Sequence, residues 1–265
     1  MTQSFAGWTA AVTGASSGMG RAIALRLAQD GAFVVGCGRN RLELAETERL
    51  VKEAGGRFRA VQNDLAEPGA GAAFVREAAA AGAGRLDAVV CNAAVIDVTP
   101  IAKGDPASWR RMVAINLISV AEAFQAGIEA MRAGRRPGWL IAISSLASRM
   151  EGMAMYGASK AGLNSLCASL RLELERDPIR VTTIIPGAFA TNLGRDLPGE
   201  ARDRFIKEMM SKGEAAAPDE SGRSAIMGVP DDIARAVAYV LSQPPALNIP
   251  ELVIRPQMDL TIPME

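Results

Sequence analysis

The chain has 265 residues, with 29 lysines and arginines, 29 aspartates and glutamates, and no histidine. The zero net charge and the lack of a dense basic block argue against a nucleic-acid partner. Without histidine, a Ser-His-Asp triad, a histidine–metal site and an imidazole acid or base are all excluded. Acid–base chemistry near neutral pH would therefore need a carboxylate, a thiol, a lysine or a phenol.

Cysteine usage and hydropathy favour a protein of the reducing cell interior. Cys37, Cys91 and Cys167 are odd in number and far apart, so we expect small buried thiols and neither disulfides nor a thiolate metal site. The N-terminal residues 1–18 lack the pattern of a signal peptide. No uninterrupted apolar run approaches the roughly 18 residues that cross a bilayer. We expect a soluble cytoplasmic protein without a membrane segment or a metal.

Short β-branched runs alternate with longer helical patterns along the whole chain. Strands are predicted at 8–13, 33–37, 58–64, 86–92, 138–145, 179–187 and 251–255. Helices are predicted at 20–31, 41–54, 70–82, 107–131, 153–176 and 230–243. This alternation predicts right-handed βαβ units and an α/β fold with a parallel sheet covered on both faces. No repeat or linker interrupts it, so residues 1–265 are interpreted as one domain.

The first predicted strand runs directly into the sequence T-G-A-S-S-G-M-G, which contains Gly14, Gly18 and Gly20. Glycines between a strand and a helix let the backbone approach a pyrophosphate, which then lies on the amides at the helix N-terminus. No Gly-Lys-Ser/Thr follows, so the turn is not a P-loop. A turn that serves only the fold is the alternative.

The second predicted strand ends in C-G-R-N, which places Arg39 where dinucleotide-binding folds discriminate between cofactors. An NAD-binding site favours an acid there, whereas a guanidinium can bind the 2′-phosphate of NADP. We therefore expect NADP(H) rather than NAD(H). A solvated Arg39 in a loop is the alternative. The same residue disfavours a methyltransferase, in which an acid would hold the ribose of the cofactor.

Residues 155–160 read M-Y-G-A-S-K and place Tyr156 and Lys160 four positions apart on a predicted helix. Side chains with this spacing share a helix face. An ammonium about 5 Å from a phenol would favour the phenolate by roughly 3 kcal/mol and so lower the pKa of the tyrosine. A plain surface pair is the alternative interpretation.

An ordered set of motifs extends over nearly the whole chain. The set comprises T-G-A-S-S-G-M-G, Asp64-Leu65, C-N-A-A, Asn116, S-S, Y-G-A-S-K and P-G-A-F-A-T. In this order it resembles the short-chain dehydrogenase/reductase family. The resemblance implies a single-domain, Rossmann-type, doubly wound parallel sheet with a helical substrate lid at about 191–228. It also implies hydride transfer between NADP(H) and a small carbonyl or secondary alcohol, and a homodimer or homotetramer. A non-catalytic NADP(H)-binding regulator on the same fold is the alternative.

The resemblance also assigns roles position by position. The implied catalytic residues are Asn116, Ser145, Tyr156 and Lys160. The implied cofactor-binding residues are Gly14, Ser16, Ser17, Gly18, Met19, Gly20, Arg39, Asp64, Leu65, Asn92, Ala93, Tyr156, Lys160, Pro186, Gly187, Phe189 and Thr191. The chain departs from the family at Cys91 and Ala94, where asparagine and glycine are usual. Ser145 and Tyr156 are eleven positions apart, a short interval that leaves open whether Ser144 or Ser145 faces the substrate.

Two further interpretations concern the later part of the chain. The basic residues of the 191–228 segment either meet a substrate carboxylate or form a solvated helix face. These residues are Arg195, Arg202, Arg204 and Lys207. Tyr239 lies in the apolar run A-V-A-Y-V-L, and we expect it in the core.

Overall fold

Seven parallel strands form a sheet through the middle of the computed structural model, which describes residues 4–189 and 227–256. The strands are β1 (Thr9–Thr13), β2 (Phe33–Gly38), β3 (Arg57–Gln62), β4 (Ala88–Cys91), β5 (Gly138–Ile143), β6 (Ile179–Pro186) and β7 (Glu251–Ile254). Their order across the sheet is β3-β2-β1-β4-β5-β6-β7. The predicted parallel α/β sheet is therefore confirmed.

Helices cover both faces of this sheet. They are α1 (Gly18–Gln29), α2 (Arg41–Glu53), α3 (Ala70–Ala81), α4 (Pro106–Val113), α5 (Ser119–Gly134), α6 (Ala154–Glu173) and α7 (Pro230–Leu241). One apolar cluster joins the sheet to α1, α2 and α7, and a second joins it to α3, α5 and α6. The two clusters confirm the doubly wound arrangement, with one hydrophobic layer on each side of the sheet.

The central strands are apolar because they have no exposed face. Every residue of β1, β4 and β5 is buried, which explains their continuous runs of valine, isoleucine, leucine and alanine. The edge strand β7 instead alternates between exposed and half-buried residues. Burial thus decreases from the middle of the sheet towards this edge.

The strand order reverses between β1 and β4, because the chain crosses from β3 at one edge back to the middle of the sheet. Crossovers leave β1 towards one face and β4 towards the other, so a crevice opens beyond the carboxyl ends of these two strands. The glycine-rich turn follows β1 at this position, and Asn92 follows β4. The topology therefore brings the two motifs together.

The helix predicted at 107–131 is longer than expected and is not regular. It starts at Pro106, after Asp105 has capped the amides of Ala107 and Ser108 at 2.9 and 3.2 Å. Residues Ala114–Ile118 form a π-helical segment between α4 and α5. A π-bulge has no strong propensity signal, so the sequence pattern did not distinguish it from regular helix.

The prediction that Tyr239 lies in the core is wrong. Its side chain is 51% exposed on α7, although its neighbours Ala238 and Val240 are buried. Tyr239 follows the exposed residues Asp231 and Arg235 at intervals of four, so helical periodicity places it on the outward face despite its apolar neighbours. The helix begins at Pro230, and Asp232 in its first turn accepts a hydrogen bond from the amide of Val229 at 3.1 Å.

Most of the predicted lid, 191–228, and Thr191 with it, lies outside the described residues. Gly228, at its end, forms an isolated parallel bridge with Phe189. The lid and the interpretation of 1–265 as one domain stay predictions. Cys37, Cys91 and Cys167 are all free and buried, as expected.

By length and composition, the helix Pro106–Gly134 could cross a membrane. Half of its most apolar window is buried inside the protein. Its buried residues pack against α3 and the sheet in one of the two core clusters. A core helix passes the same length and hydropathy test, so this finding is weak evidence for a membrane segment.

Candidate active site

A cleft of about 490 Å³ lies beyond the carboxyl ends of β1 to β4. Ten of the predicted cofactor-binding residues line it: Gly14, Ser16, Ser17, Gly18, Met19, Arg39, Asp64, Leu65, Asn92 and Ala93. Residues that the sequence analysis did not single out also line it, including Asn40, Glu43, Asn63 and Ile115. The structure thus brings together segments separated by nearly eighty positions of the chain.

The glycine turn has a backbone that other residues adopt only with strain. Gly14 has a φ of +68° and Gly18 a φ of +53°. A Cβ on Gly14 would lie 2.8 Å from Nδ2 of Asn92, and a Cβ on Gly20 would lie 2.0 Å from the carbonyl oxygen of Gly14. The glycines therefore let α1 begin directly against the ends of β1 and β4.

The N-terminus of α1 has the properties of an anion site. Ser17 is its N-cap residue but makes no side-chain hydrogen bond to the helix, and the first turn contains no acid. Gly18 and Met19 line the cleft, so amides of this turn are available to a ligand. Amides and the helix dipole together favour a phosphate, and these residues therefore fit a dinucleotide pyrophosphate.

The wall that follows β2 carries charges of both signs. Arg39 and Glu43 both line the cleft. Asn40 caps α2 by accepting hydrogen bonds from the amides of Leu42 and Glu43 at 3.0 and 3.2 Å, which fixes the first turn that carries Glu43. Glu43 was not among the residues predicted to line this site. An acid three positions after an N-cap asparagine was the signal that could have revealed it.

Asp64 lines the cleft with a partner that the sequence analysis did not predict. Its carboxylate lies 2.9 Å from a guanidinium nitrogen of Arg111 on α4 and accepts a hydrogen bond from the amide of Ala66 at 3.0 Å. Although burial opposes ionisation, the hydrogen bonds from Ala66 and Arg111 hold the pKa of Asp64 below its usual value. A carboxylate engaged in this way offers a ligand only its remaining acceptor positions.

Asn116 lies within the π-helical segment and joins two parts of the site. Its Oδ1 accepts a hydrogen bond from the amide of Val95, and its Nδ2 donates to the carbonyl of Val95, both at 2.9 Å. Nδ2 also donates to Oγ of Ser159 on α6 at 3.1 Å, and Ser159 donates to the carbonyl of Tyr156 at 2.8 Å. The loop after β4 is thereby tied to the helix that carries Tyr156 and Lys160.

The two serines after β5 differ in their surroundings. The side chain of Ser145 acts on the phenol of Tyr156 and lowers its pKa. It also accepts a hydrogen bond from the amide of Ala147 at 3.2 Å. The hydroxyl of Ser144 is buried and has no hydrogen-bond partner among the described residues. Of the two serines, Ser145 is the one that affects the pKa of the phenol.

Tyr156 and Lys160 are both buried, with exposed fractions of 3% and 2%. The interpretation as a surface pair is therefore wrong. The Nζ atom of Lys160 donates to the carbonyl of Ile143 at 2.8 Å. Burial lowers the pKa of Lys160 to about 8.

The expectation that Lys160 lowers the pKa of Tyr156 is also wrong for this structure. Burial raises the pKa of Tyr156, and the hydrogen bond with Ser145 opposes this effect only in part. The reason is that desolvation penalises the phenolate of Tyr156 and the ammonium of Lys160 alike. The i,i+4 estimate from sequence included the attraction between the charges but not their burial.

Three other predicted cofactor residues lie at the end of β6 or just after it, and none of them lines the main cleft. Pro186 ends β6, and the amide of Gly187 donates to the carbonyl of Ile254 at 2.8 Å. Phe189 packs closely against Gly228, where a Cβ would lie 2.3 Å from its ring. These contacts fix the start of the segment that leads to Thr191.

Replacing Gly20 by alanine should abolish dinucleotide binding. The new methyl group would overlap the backbone carbonyl of Gly14 and the side-chain nitrogen of Asn92, which itself donates to the carbonyl of Thr13. Gly134→Ala is the matched control, because it also replaces a helical glycine and its Cβ would meet nothing within 4 Å. Calorimetric titration with NADP⁺ and NAD⁺ should show binding to the control alone. Wild-type affinity in Gly20→Ala would contradict this account of the turn.

The burial of Lys160 should make stability depend on pH. Its pKa is about 8 in the folded protein against 10.5 for a solvated lysine, so between these pH values the unfolded chain binds more protons and stability rises with pH. Lys160→Met lacks this effect. The unfolding free energy of the wild type relative to the variant should rise by up to about 3 kcal/mol across that range. Urea denaturation at several pH values measures the difference, and parallel pH curves would disprove it.

Comparisons with known proteins agree with this arrangement. The family model for short chain dehydrogenase matches residues 8–201. The (3R)-3-hydroxyacyl-CoA dehydrogenase of Homo sapiens is 31% identical over 243 residues, which are 88% of each chain. A metagenomic short-chain oxidoreductase in complex with NADP has a TM-score of 0.76 and 34% identity, covering 98% of this chain and 100% of its own. A short chain dehydrogenase from Mycobacterium paratuberculosis bound to NAD has a TM-score of 0.79 and 27% identity, covering 95% and 97%.

The parallel sheet, the glycine turn at its switch point and these similarities along most of the chain lead to one conclusion. The protein is an oxidoreductase of the short-chain dehydrogenase/reductase family.

Proposed function

We propose that the protein transfers a hydride between NADP(H) and the carbonyl or secondary alcohol of a small molecule, with Tyr156 as the acid and base. The observation that carries this proposal is the buried phenol of Tyr156, with a serine side chain, that of Ser145, close enough to lower its pKa. The two hydroxyls could therefore contact the same substrate oxygen. A non-catalytic binding protein would not need this pair.

In the reductive direction, the carbonyl oxygen gains negative charge as the carbonyl carbon gains hydride. The phenol of Tyr156 donates its proton to this oxygen, and Ser145 donates a hydrogen bond that stabilises the developing charge. The raised pKa of Tyr156 keeps the phenol protonated at neutral pH, as a proton donor must be. In the oxidative direction, the phenolate form of Tyr156, whose proton has first left along the path at Asn116, would accept the alcohol proton.

Lys160 and Asn116 support the phenol from the protein side. Lys160 lies one helical turn after Tyr156, and its ammonium is held at the carbonyl of Ile143. Asn116 holds the backbone of α6 near Tyr156 through Ser159. We assign to Lys160 the contact with the cofactor ribose and to Asn116 the end of the path by which the proton of Tyr156 is replaced.

The dinucleotide supplies or accepts the hydride when it is bound. The glycine turn would hold its pyrophosphate, Arg39 its 2′-phosphate, and Asp64, Leu65, Asn92 and Ala93 its adenosine half. The segment Pro186–Phe189, continued by Thr191, would hold the nicotinamide. The glycine turn at the N-terminus of α1 supports this fit, because a phosphate can reach the amides of its first turn.

The surroundings of Tyr156 favour an apolar substrate next to the reacting carbon. Tyr156 belongs to a buried cluster with Ile96, Met112 and Ala147, and Val98 and Met153 pack against it. Asp97, the acid nearest to this cluster in sequence, is engaged with the amide of Thr99 and the hydroxyl of Ser108 at 2.9 and 2.8 Å. A panel of alicyclic ketones, β-keto acids and diketones, followed by loss of NADPH absorbance, would identify the preferred class.

Replacing the two serines and the tyrosine tests the chemistry. Tyr156→Phe should lower kcat by about 10²–10⁴-fold, and Ser145→Ala by about 10²–10³-fold, with dinucleotide affinity unchanged in both variants. Ser144→Ala is the matched control and should keep wild-type turnover, because its hydroxyl has no partner among the described residues. Retained turnover in Tyr156→Phe would exclude the mechanism. Dinucleotide binding without turnover of any substrate would favour the non-catalytic alternative.

Arg39 and Glu43 carry opposite charges on the cleft wall, so replacing each should shift the preference between NADPH and NADH in an opposite direction. Arg39→Ala should lower kcat/KM for NADPH by about 10–100-fold, the loss of a charge-assisted hydrogen bond, and change that for NADH little. Glu43→Gln should shift the preference further towards NADPH, since it removes a negative charge from the cleft. Arg41→Ala, a change in a neighbouring arginine outside the cleft lining, is the control. Better use of NADH than NADPH by the wild type would overturn the assignment.

A further inference from the structure

Arg21, on the first turn of α1, connects the glycine turn to α2. Its Nη2 donates to the carbonyl of Ser16 and to the carbonyl of Glu43, the latter at 3.2 Å. Its Nε donates to Oγ1 of Thr47 on α2 at 2.9 Å. One guanidinium therefore contacts the backbone on both sides of the cleft.

Thr47 completes this connection from within the protein. It is fully buried, and its hydroxyl donates to the carbonyl of Ala15 at 2.9 Å while it accepts from Arg21. Ala15 is itself fully buried, and its amide donates to the carbonyl of Cys37 at the end of β2. Thr47, on α2, thus holds the carbonyl of Ala15. Arg21, which also contacts α2, holds the carbonyl of the next residue, Ser16.

The two connected segments form separate walls of the dinucleotide cleft. Ser16 belongs to the wall at the glycine turn, which would contact the pyrophosphate. Glu43 belongs to the wall after β2, which would contact the 2′ end of the adenosine ribose. Neither Arg21 nor Thr47 lines the cleft, so any effect of this pair on a ligand must act through the walls that it holds.

We propose that Arg21 and Thr47 are positioning residues that set the spacing between the pyrophosphate wall and the adenosine wall of the cleft. This inference rests on the proposed dinucleotide site. A ligand that contacts both walls gains from both only if their spacing matches its own length, as with two linked binding groups. A ligand that contacts a single wall does not depend on the spacing.

The proposal predicts different losses for long and short ligands. Arg21→Ala and Thr47→Val should weaken NADP⁺ binding by roughly tenfold, within the range of coupling inside one hydrogen-bond network. Adenosine 2′-monophosphate, which reaches only the wall after β2, should bind each variant as it binds the wild type. With saturating cofactor, kcat should not change, so that the effect falls on KM. Calorimetric titration and competition measurements supply both affinities.

Conservative variants distinguish position from charge and from folding. Arg21→Lys keeps the charge but cannot reach two carbonyls and Thr47 at once, so it should behave like Arg21→Ala. Thr47→Ser keeps the hydroxyl and should restore wild-type affinity. Arg26→Ala is the control on the same helix, because Arg26 pairs with Asp30 at 2.8 Å and not with α2. Thermal unfolding without ligand confirms that each variant is folded; if Thr47→Val is not, the two arginine variants decide.

The outcomes separate this proposal from the one on which it rests. If the wild type binds neither NADP⁺ nor NAD⁺, the proposed function fails. If the wild type binds and Arg21→Lys binds equally well, Arg21 acts through its charge and the positioning role is refuted. Equal losses for NADP⁺ and adenosine 2′-monophosphate would also refute it, because they would show local disruption of one wall.

Discussion

The site depends on the contact between the ends of β1 and β4. Oγ1 of Thr13 accepts hydrogen bonds from the amides of Asn92 and Ala93, both at 3.0 Å, and Nδ2 of Asn92 donates to the carbonyl of Thr13 at 3.1 Å. These bonds lie at the point where the strand order reverses, so they join the two halves of the fold. Since Gly14 follows Thr13 directly, the same contact fixes where the glycine turn begins. A side chain at Gly14 would collide with this junction.

Asn116 likewise joins two segments of the site, the loop after β4 and helix α6. Its amide group satisfies both the donor and the acceptor of Val95, and the π-helical segment places it opposite Ser159 on α6. A regular helix would turn residue 116 to a different angle, so the irregular segment is what lets one side chain reach both the β4 loop and α6. Asn92 thus holds the glycine-turn side of the candidate site, and the fully buried Asn116 holds the side around Tyr156.

Much of this could be predicted from sequence because it depends on short-range signals. Strand and helix alternation gave the sheet, and the glycines and the Tyr156–Lys160 spacing indicated the site. Contacts between distant segments could not be predicted in this way. The pairing of Arg111 with Asp64 follows from how helix α4 packs beside the carboxyl end of β3. No local pattern in the chain indicates this pairing.

Burial also decides the protonation states, which spacing alone does not give. Desolvation raises the pKa of Tyr156 and lowers that of Lys160, so both groups shift towards their neutral forms. Sequence spacing predicts the attraction between ammonium and phenolate. That attraction requires both groups to be charged, and burial disfavours both charged forms. Positive charge from an oxidised nicotinamide would restore the phenolate, whereas its loss on reduction favours the phenol. In the mechanism proposed above, this dependence would match the protonation of Tyr156 to the direction of the reaction, with a phenol as the donor for reduction and a phenolate as the base for oxidation.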